Sequence, residues 1–354
     1  MLYNLYNSHK ERTHFYMLTV KRIIFASKND AELIKDGIVD EKNIGDDEII
    51  LKNLVSTISN GTEKAGITGE RVGNAPVSFP RKPGYSSSAE VIAVGKGISK
   101  VKVGDRVVPI QGSHSSHFIR KEDDLVVLPN DISNEEAAMM YIGTFPIAAI
   151  RKVRLEIGEN CAVIGLGILG QFAIQFAKAA GAYPVIGVDP NPNRREEALK
   201  IGADFVFDPT DPNYIKNVLK VAPEGYVTAI EVTGTGVALN QTLDLMKRFG
   251  RIALLGCTRN SDFNVDFYTK VHMPGIELIG AHTLARPKYE SYPHYFTDKD
   301  DINSIIKLCL GKRINISSMI KETHSPEECH EVFNRLVNDK NFPTVVQFDW
   351  SLLK

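Results

Sequence analysis

The chain has few cysteines and a single tryptophan among its 354 residues. The cysteines, Cys161, Cys257, Cys309 and Cys329, lie far apart and form no C-x-x-C pair. This spacing argues against both a zinc ribbon and a disulfide-rich secreted scaffold. We therefore predict free thiols in a reducing compartment, and a cytoplasmic location.

Long hydrophobic runs are also missing. No apolar run approaches the roughly 20 residues of a membrane-spanning helix, so no membrane contact is predicted. The 42 basic residues nearly balance 43 acidic ones, which leaves no charge excess to attract nucleic acid. Residues 1–16 are polar and aromatic and lack the apolar segment of a signal peptide. We predict that they form a disordered extension before a first strand at Met17.

Segments with different hydrophobic patterns follow one another along the chain. Short apolar runs broken by Gly, Pro and Asp between residues 22 and 129 predict an antiparallel β domain. Alternating strand and helix patterns between residues 158 and 280 predict a parallel sheet covered on both faces, with a helix at 237–249. The tail predicts two amphipathic helices and a final strand, at residues 301–310, 326–338 and 344–348.

A glycine-rich turn, Gly165-Leu166-Gly167-Ile168-Leu169-Gly170, follows one of these strand patterns and opens a helix pattern. This context is typical of a dinucleotide-binding turn. Gly165 permits the tight turn, Gly167 lets the backbone approach the pyrophosphate, and Gly170 lets helix and strand pack closely. The helix N-terminus then offers free N–H groups to the phosphates. The turn predicts a nicotinamide dinucleotide bound in a Rossmann domain.

An acidic residue at the end of the next strand pattern bears on which dinucleotide is bound. Asp189 follows the apolar residues 185–188. A carboxylate there accepts hydrogen bonds from the ribose hydroxyls of NAD and repels the 2′-phosphate of NADP. Arg194 and Arg195 follow closely, and either could instead meet a 2′-phosphate. We predict NAD(H), with NADP(H) as the less favoured alternative.

Further motifs extend this pattern along the chain: Gly61-Thr62-Glu63, Pro83-Gly84-Tyr85, and residues 101–107, 201–204, 231–234 and 250–256. Together they resemble the medium-chain dehydrogenase/reductase superfamily, the fold of zinc alcohol and polyol dehydrogenases. The resemblance implies an α/β protein with a GroES-like β-rich catalytic domain, residues 17–141 and 281–354. It also implies a Rossmann domain with a doubly wound parallel sheet at residues 142–280, and an active site in the cleft between the domains.

The resemblance also implies where a catalytic zinc ion would lie. The family's cysteine falls on Asn60, its histidine on Tyr85, the following glutamate on Ser86, and the third ligand near Met140. An amide, a phenol, a hydroxyl and a thioether do not make a tight zinc site, which needs thiolate, imidazole or carboxylate. Residues 58–63 (ISNGTE) resemble zinc-free relatives such as bacteriochlorophyllide dehydrogenase, and the tail resembles bacterial sugar- or polyol-type dehydrogenases. We therefore predict no metal.

Without zinc, a side chain must stabilise the charge that develops on the substrate oxygen. The resemblance makes Tyr85 the first candidate, because it takes the histidine position; its alternative role is to shape the pocket. His114, before the strand at Phe118, is the second candidate, or else a loop residue. Thr62 falls on a family residue that hydrogen-bonds the substrate oxygen. The other cofactor contacts are expected at Ile168, Leu169, Arg194 and Thr233, at Thr144 against the nicotinamide, and at Gly256 and Cys257 on that ring's other side.

Three functions remain open at this point. The first is a zinc-independent NAD(H)-dependent oxidoreductase that interconverts a secondary alcohol and a ketone of a sugar, polyol or related small molecule. The second is an NAD(P)H-dependent reductase of quinones or enones, in which hydride goes to carbon and no metal is needed. The third is a non-catalytic NAD(H)-binding protein. Residues 276–280 resemble the strand that pairs Rossmann sheets in family oligomers, which implies a homodimer or homotetramer.

Overall fold

The computed structural model describes residues 17–71, 77–261 and 263–354. The predicted extension, residues 1–16, lies outside this part of the chain. Within it, no helix is both long and apolar enough to cross a membrane.

The described strands are short except near the N-terminus. In chain order they are β1 (Met17–Ser27), β2 (Asp30–Asp40), β3 (Glu48–Thr57), β4 (Ser87–Val94), β5 (Arg106–Pro109), β6 (His117–Lys121), β7 (Leu125–Val127), β8 (Cys161–Ile164), β9 (Val185–Val188), β10 (Phe205–Phe207), β11 (Tyr226–Glu231), β12 (Met246–Leu254), β13 (Glu277–Gly280), β14 (Glu322–His324) and β15 (Val346–Asp349).

The described helices lie mostly in the second half of the chain. In chain order they are α1 (Asn60–Thr68), α2 (Asn134–Ala137), α3 (Met140–Lys152), α4 (Ile168–Ala179), α5 (Pro192–Lys200), α6 (Tyr214–Val221), α7 (Gly236–Leu245), α8 (Asp298–Leu310) and α9 (Cys329–Asn338).

Among the described residues, two larger sheets and one hairpin organise the molecule. The parallel sheet has the order β10-β9-β8-β11-β12-β13, and every pairing in it is parallel. The second sheet has the order β14-β15-β3-β4-β5-β7, with β6 also paired to β3, and it joins strands from both ends of the chain. It is called the mixed sheet, because β14 and β15 pair in parallel and its other pairs are antiparallel. The hairpin consists of β1 and β2. All residues of β8 and β9 are buried, as expected for strands covered by helices on both faces.

The two sheets share one hydrophobic core, and α3 lies at its centre. Twelve of the thirteen residues of α3 are buried. The cluster around it includes Val108 of β5 and Val163 of β8, together with Phe172 of α4 and Ile305 of α8. The helix therefore connects the mixed sheet to the parallel sheet, and its first turn lies where the two meet.

Several predicted element boundaries were wrong. The predicted helix at 237–249 ends at Leu245, because Met246 is already extended (φ −78°, ψ 139°) and pairs with Tyr226. The helix predicted at 301–310 begins at Asp298, where the Thr297 side chain accepts a hydrogen bond from the Asp300 N–H. Charged first-turn residues carry no apolar periodicity, so the pattern did not reveal them.

Two further differences lie in the tail. The helix predicted at 326–338 begins as a 3₁₀ turn, Pro326–Glu328, which continues into α9. The strand predicted at 344–348 runs from Val346 to Asp349. Sequence reasoning also missed α1 and α3. The first contains Gly61 and Gly66, and the second contains Gly143 and Pro146, residues that weaken a helix prediction.

Candidate active site

The glycine turn leaves β8 and enters α4. Gly165 has φ +96°, a conformation that favours glycine, and its N–H donates to Val188 O of β9 at 2.7 Å. A Cβ on Gly170 would lie 1.9 Å from Gly165 O. The protein's own packing therefore requires glycine at both positions.

Gly167 differs from these two glycines. Its φ of −68° suits any residue, and a Cβ placed there would meet no atom within 4 Å. It is the N-cap of α4, and no side chain caps that helix end. The protein itself therefore gives no reason for glycine here. Free space in front of uncapped helix N–H groups is what a bound pyrophosphate needs.

Asp189 lies at the end of β9, next to this turn. Its Oδ2 accepts a hydrogen bond from the Leu166 N–H at 2.8 Å, and its Oδ1 accepts one from the Asn191 N–H at 2.8 Å. The Arg194 guanidinium is 3.7 Å away, whereas Arg195 donates to the backbone oxygen of Asp189 and to Asp208. Arg194 is therefore the arginine nearer the carboxylate that would meet the ribose.

The loops after β11 and β12 pack against each other at the same edge of the sheet. The Glu231 carboxylate, which is buried, accepts hydrogen bonds from the Thr233 hydroxyl and from the Thr233 and Gly234 N–H groups. Burial raises the pKa of Glu231. A Cβ on Gly256 would lie 2.2 Å from the Gly234 nitrogen, so these loops approach closely, with Cys257 exposed beside them.

The loop after β12 also reaches α1. The Arg259 guanidinium donates to Gly61 O at 3.2 Å and lies 3.5 Å from the Glu70 carboxylate. The first turn of α1 therefore faces the carboxyl edge of the parallel sheet. We call the region between this turn and this edge the cleft.

Tyr85 lies beside the start of α1. Its hydroxyl donates to Ser59 Oγ at 2.6 Å, and its ring stacks on Phe145 with centroids 5.8 Å apart. Burial raises the pKa of the Tyr85 phenol, hydrogen bonds with Ser59 and Thr62 lower it by less, and the nearby Glu63 charge adds to the rise. The phenol therefore stays neutral at physiological pH and acts as a hydrogen-bond donor.

His114 is fully buried, and both of its ring nitrogens are engaged. Nε2 lies 3.1 Å from Glu63 Oε2, and Nδ1 lies 2.7 Å from Ser56 Oγ, which accepts a hydrogen bond from Trp350 Nε1 at 2.8 Å. Because an ionised carboxylate can only accept, a neutral His114 carries its proton on Nε2 and accepts from Ser56. This placement differs from the predicted one. His114 braces Glu63 and leaves no nitrogen free for a substrate.

Glu63 connects this buried group to the helix that carries the cleft residues. Its Oε1 accepts a hydrogen bond from the Ser59 N–H at 3.1 Å, so it caps the first turn of α1. Thr62 is exposed on that turn. Thr62 and Tyr85 therefore lie at the same turn, and His114 lies behind them.

Thr144 lies in the first half of α3 and is fully buried. Its hydroxyl donates to Tyr141 O at 2.7 Å, and its own backbone oxygen accepts a hydrogen bond from Arg286 at 2.8 Å. Arg286 also pairs with Asp298 at 2.7 Å. These contacts fix the turn of α3 on which Thr144 and Tyr141 lie.

Comparisons with known proteins agree with this geometry. Residues 169–296, which begin inside the glycine turn, match the family model "Zinc-binding dehydrogenase". Sorbitol dehydrogenase of Bacillus subtilis is 27% identical over 285 residues, covering 68% of this chain and 80% of that protein. (R,R)-butanediol dehydrogenase of the same organism is 30% identical over 195 residues, covering 48% and 55%. The chain belongs to the medium-chain dehydrogenase/reductase superfamily.

A solved structure supports the fold over nearly the whole length. Galactitol-1-phosphate dehydrogenase from Escherichia coli superposes with a TM-score of 0.81 at 17% identity, covering 93% of this chain and 99% of that one. The predicted fold class, a GroES-like domain with a Rossmann domain, is confirmed. This medium-chain dehydrogenase/reductase is an oxidoreductase.

The side chains at the family's zinc positions do not fit a zinc ion. Asn60 Nδ2 donates to the backbone oxygens of residues 343 and 344, at 2.9 and 3.2 Å. Ser86 Oγ donates to Ala138 O at 2.7 Å, and Met140 is fully buried in the core. Tyr85 is hydrogen-bonded to Ser59, and none of the four side chains offers thiolate, imidazole or carboxylate.

Across residues 17–71, 77–261 and 263–354, no three His, Cys, Asp or Glu side chains form a group that could hold a metal. The matched family model covers the dinucleotide-binding part, away from these four positions.

Sequence reasoning did not single out Ser59 or Tyr141. Ser59 is 6% exposed and receives the Tyr85 hydroxyl. Tyr141 packs edge-on against Tyr85, with ring centroids 6.1 Å apart, and edge-on against Phe145 at 5.5 Å. A helix prediction over 140–152 would have found Tyr141, because Tyr141, Thr144 and Phe145 have the i, i+3, i+4 spacing of one helix face.

Proposed function

We propose that this medium-chain dehydrogenase/reductase is a zinc-independent, NAD(H)-dependent enzyme that interconverts a secondary alcohol and a ketone of a sugar, polyol or related small molecule. The observation that carries the proposal is the Tyr85–Ser59 hydroxyl pair, at 2.6 Å, in the position where metal-binding relatives have a histidine ligand. Two linked hydroxyls in that position can stabilise and protonate a developing alkoxide, which is the task of zinc in those relatives.

The dinucleotide-binding residues favour NAD(H). Gly167 leaves free space before the N-terminus of α4, and Asp189 offers a carboxylate where a ribose would lie. Bound NAD(H) would donate or accept the hydride. Ile168, Leu169 and Gly170 would carry N–H groups toward the phosphates. Gly256 and Cys257 would lie on one side of the nicotinamide, Thr233 would contact the same half of the cofactor, and Thr144, buried in α3, would support the other side of the ring.

The proton chemistry follows from the hydrogen bonds of the hydroxyl pair. Because the Tyr85 proton is donated to Ser59 Oγ, the Ser59 proton is free to point at a substrate oxygen. When a ketone is reduced, Ser59 gives its proton to the new hydroxyl and takes one from Tyr85, which is then restored from solvent. Thr62, exposed on the same turn, supplies a second hydrogen bond to the oxygen. Glu63 and His114 hold that turn in place.

Relatives support the proposed substrate class, and a free strand edge supports the proposed assembly. Curated relatives include a sorbitol dehydrogenase, a butanediol dehydrogenase and a D-arabitol-phosphate dehydrogenase, each named for a polyol or its phosphate. Among the described strands, β13 is one of the two outer strands of the parallel sheet and pairs with β12 alone. An unpaired strand edge is able to add a second copy, so we assign β13 to a homodimer or homotetramer interface. Free thiols at all four cysteines support a cytoplasmic location.

The test is a metal-free assay on purified protein. We expect NADH formation from NAD⁺ with a panel of polyols, weaker use of NADP⁺, no bound zinc by elemental analysis, and no effect of EDTA. Tyr85→Phe should lower kcat by about 10²- to 10⁴-fold, the usual contribution of a positioned general acid, while NADH affinity stays the same. Loss of activity in EDTA and its recovery with zinc would refute the proposal. Turnover of quinones or enones, with no turnover of any alcohol, would favour the reductase alternative.

A further inference from the structure

We infer that Tyr141, oriented by Gln111, is a second hydrogen-bond donor of the active site. In this role it binds a substrate hydroxyl next to the reacting carbon and so selects vicinal diols and α-hydroxyketones. The inference rests on the proposed function and goes beyond it, because it assigns residues that distinguish an oxygen-rich substrate from a simple alcohol.

The position of Tyr141 is the first argument. It lies in the first turn of α3, and its ring packs edge-on against Tyr85 at 6.1 Å between centroids. Phe145 contacts both rings, at 5.5 and 5.8 Å. The two phenol rings therefore lie side by side against Phe145, close enough for their hydroxyls to bind neighbouring atoms of one small ligand.

The hydroxyls of Tyr85 and Tyr141 differ in their hydrogen bonds. The Tyr85 proton goes to Ser59 Oγ. The Tyr141 oxygen instead accepts a hydrogen bond from Gln111 Nε2 at 2.8 Å. No acceptor for the Tyr141 proton lies within hydrogen-bonding distance among the residues that the structure describes. Since the hydroxyl oxygen is already held by Gln111, its proton is available to an acceptor supplied by a ligand.

The backbone of Gln111 is the third argument. This residue has φ +59°, in the left-handed region that a non-glycine residue rarely adopts. The Arg120 Nε donates to Gln111 O at 3.0 Å, and the next residue, Gly112, donates its N–H to Tyr85 O at 2.7 Å. In this unusual conformation, the exposed amide side chain of Gln111 is hydrogen-bonded to the Tyr141 hydroxyl. Strained backbone of this kind is concentrated at binding and catalytic sites.

The chemistry of the Tyr141–Gln111 pair limits which ligands can bind there. Burial raises the pKa of Tyr141, and the nearby Asp298 charge raises it further, so the phenol remains a neutral donor. Such a group pairs with a hydroxyl or carbonyl oxygen. When a ligand lacks that oxygen, the phenol of Tyr141, which is only 3% exposed, is left without an acceptor. Enzymes that hydrogen-bond a substrate hydroxyl discriminate strongly against analogues without it.

The experiment compares matched alcohols on the full-length protein. The probes are butane-2,3-diol with butan-2-ol, and cyclohexane-1,2-diol with cyclohexanol, each assayed with NAD⁺. We expect the wild type to give kcat/KM at least about tenfold higher for the diol of each pair. Tyr141→Phe should lower this diol-to-monoalcohol ratio by about 10- to 100-fold. Gln111→Leu, a change at an exposed side chain, should lower it by a smaller factor in the same direction. Tyr183→Phe removes the hydroxyl of an exposed tyrosine outside the site and serves as the matched control.

The outcomes distinguish failure of the proposed function from failure of the inference alone. If the wild type oxidises no alcohol, the proposed function fails, and the inference fails with it. If the wild type oxidises alcohols but does not prefer the diols, the inference alone is wrong. It is also wrong if Tyr141→Phe keeps the wild-type ratio while its melting temperature and NADH affinity match those of Tyr183→Phe. A lower ratio in Tyr141→Phe and Gln111→Leu, but not in Tyr183→Phe, supports it.

Discussion

Replacing Gly167 with alanine should separate dinucleotide binding from folding. A Cβ at this position meets no protein atom within 4 Å, and φ is −68°, so the backbone need not move. Alanine is a poorer N-cap than glycine, which costs about 1 kcal/mol of folding free energy or less. A methyl group would, however, occupy the space from which phosphate oxygens reach the N–H groups of α4. Hydrogen bonds to charged groups contribute about 1.5–3 kcal/mol each, so weakening one lowers NADH affinity about 10- to 100-fold.

The assay is NADH fluorescence titration together with thermal unfolding, with and without NADH. Gly280→Ala is the matched control, because a Cβ there also meets nothing within 4 Å. Since Gly280 ends β13, in the proposed subunit interface, the oligomeric state of this variant is measured as well. Gly170→Ala provides the contrast: its Cβ would overlap Gly165 O, so that variant should lose stability as well as binding. If Gly167→Ala folds and binds NADH within twofold of the wild type, the assignment of the free space to a pyrophosphate is incorrect.

Two further predictions concern histidines that the structure places in different surroundings. His114→Asn should lower the free energy of unfolding by about 1–3 kcal/mol, because it leaves buried polar atoms of Glu63 or Ser56 without partners. The folded variant should keep more activity than Tyr85→Phe, and full stability with abolished turnover would instead place His114 in proton transfer. At His324, burial lowers the pKa, but hydrogen bonds to two flanking glutamates outweigh it and raise the pKa above 6.5. The stability that this histidine contributes is therefore complete below pH 6.5 and is lost as pH rises through the higher folded-state pKa. In urea unfolding, the difference between the wild type and His324→Gln should shrink from pH 6 to pH 9, and a difference that grows would contradict the sign.

The parallel sheet was readily predicted from the sequence because its signals are local. Buried strands such as β8 and β9 are continuous apolar runs, and the glycine turn must follow its strand directly to work. The same local logic gave the position of Asp189. It was less successful at the ends of helices, where α7 ends early and α8 begins early. Helix ends depend on capping and on strand pairing, which apolar periodicity does not report.

The catalytic half of the site depended on contacts between residues far apart in sequence. The sequence pattern left His114 open as a donor or, more favoured, a surface loop histidine, whereas its burial against Glu63 and Ser56 is a property of the packed molecule. Tyr141 was overlooked because Gly143 and Pro146 obscured α3. Side-chain hydrogen bonds of this kind join the segment before β4 to the start of α1, and the segment before β6 to β3.

The sequence by itself therefore determined the superfamily, the dinucleotide turn and the replacement of the usual zinc ligands. Each of these depends on particular residue types that lie close together along the chain. Tertiary structure decided how the hydroxyls of the candidate site are hydrogen-bonded. Ser59 is held by Tyr85, Tyr141 is held by Gln111, and His114 is enclosed in the core. The physical reason is that a hydrogen bond has a direction and a length, and both are set by segments that the chain brings together only on folding.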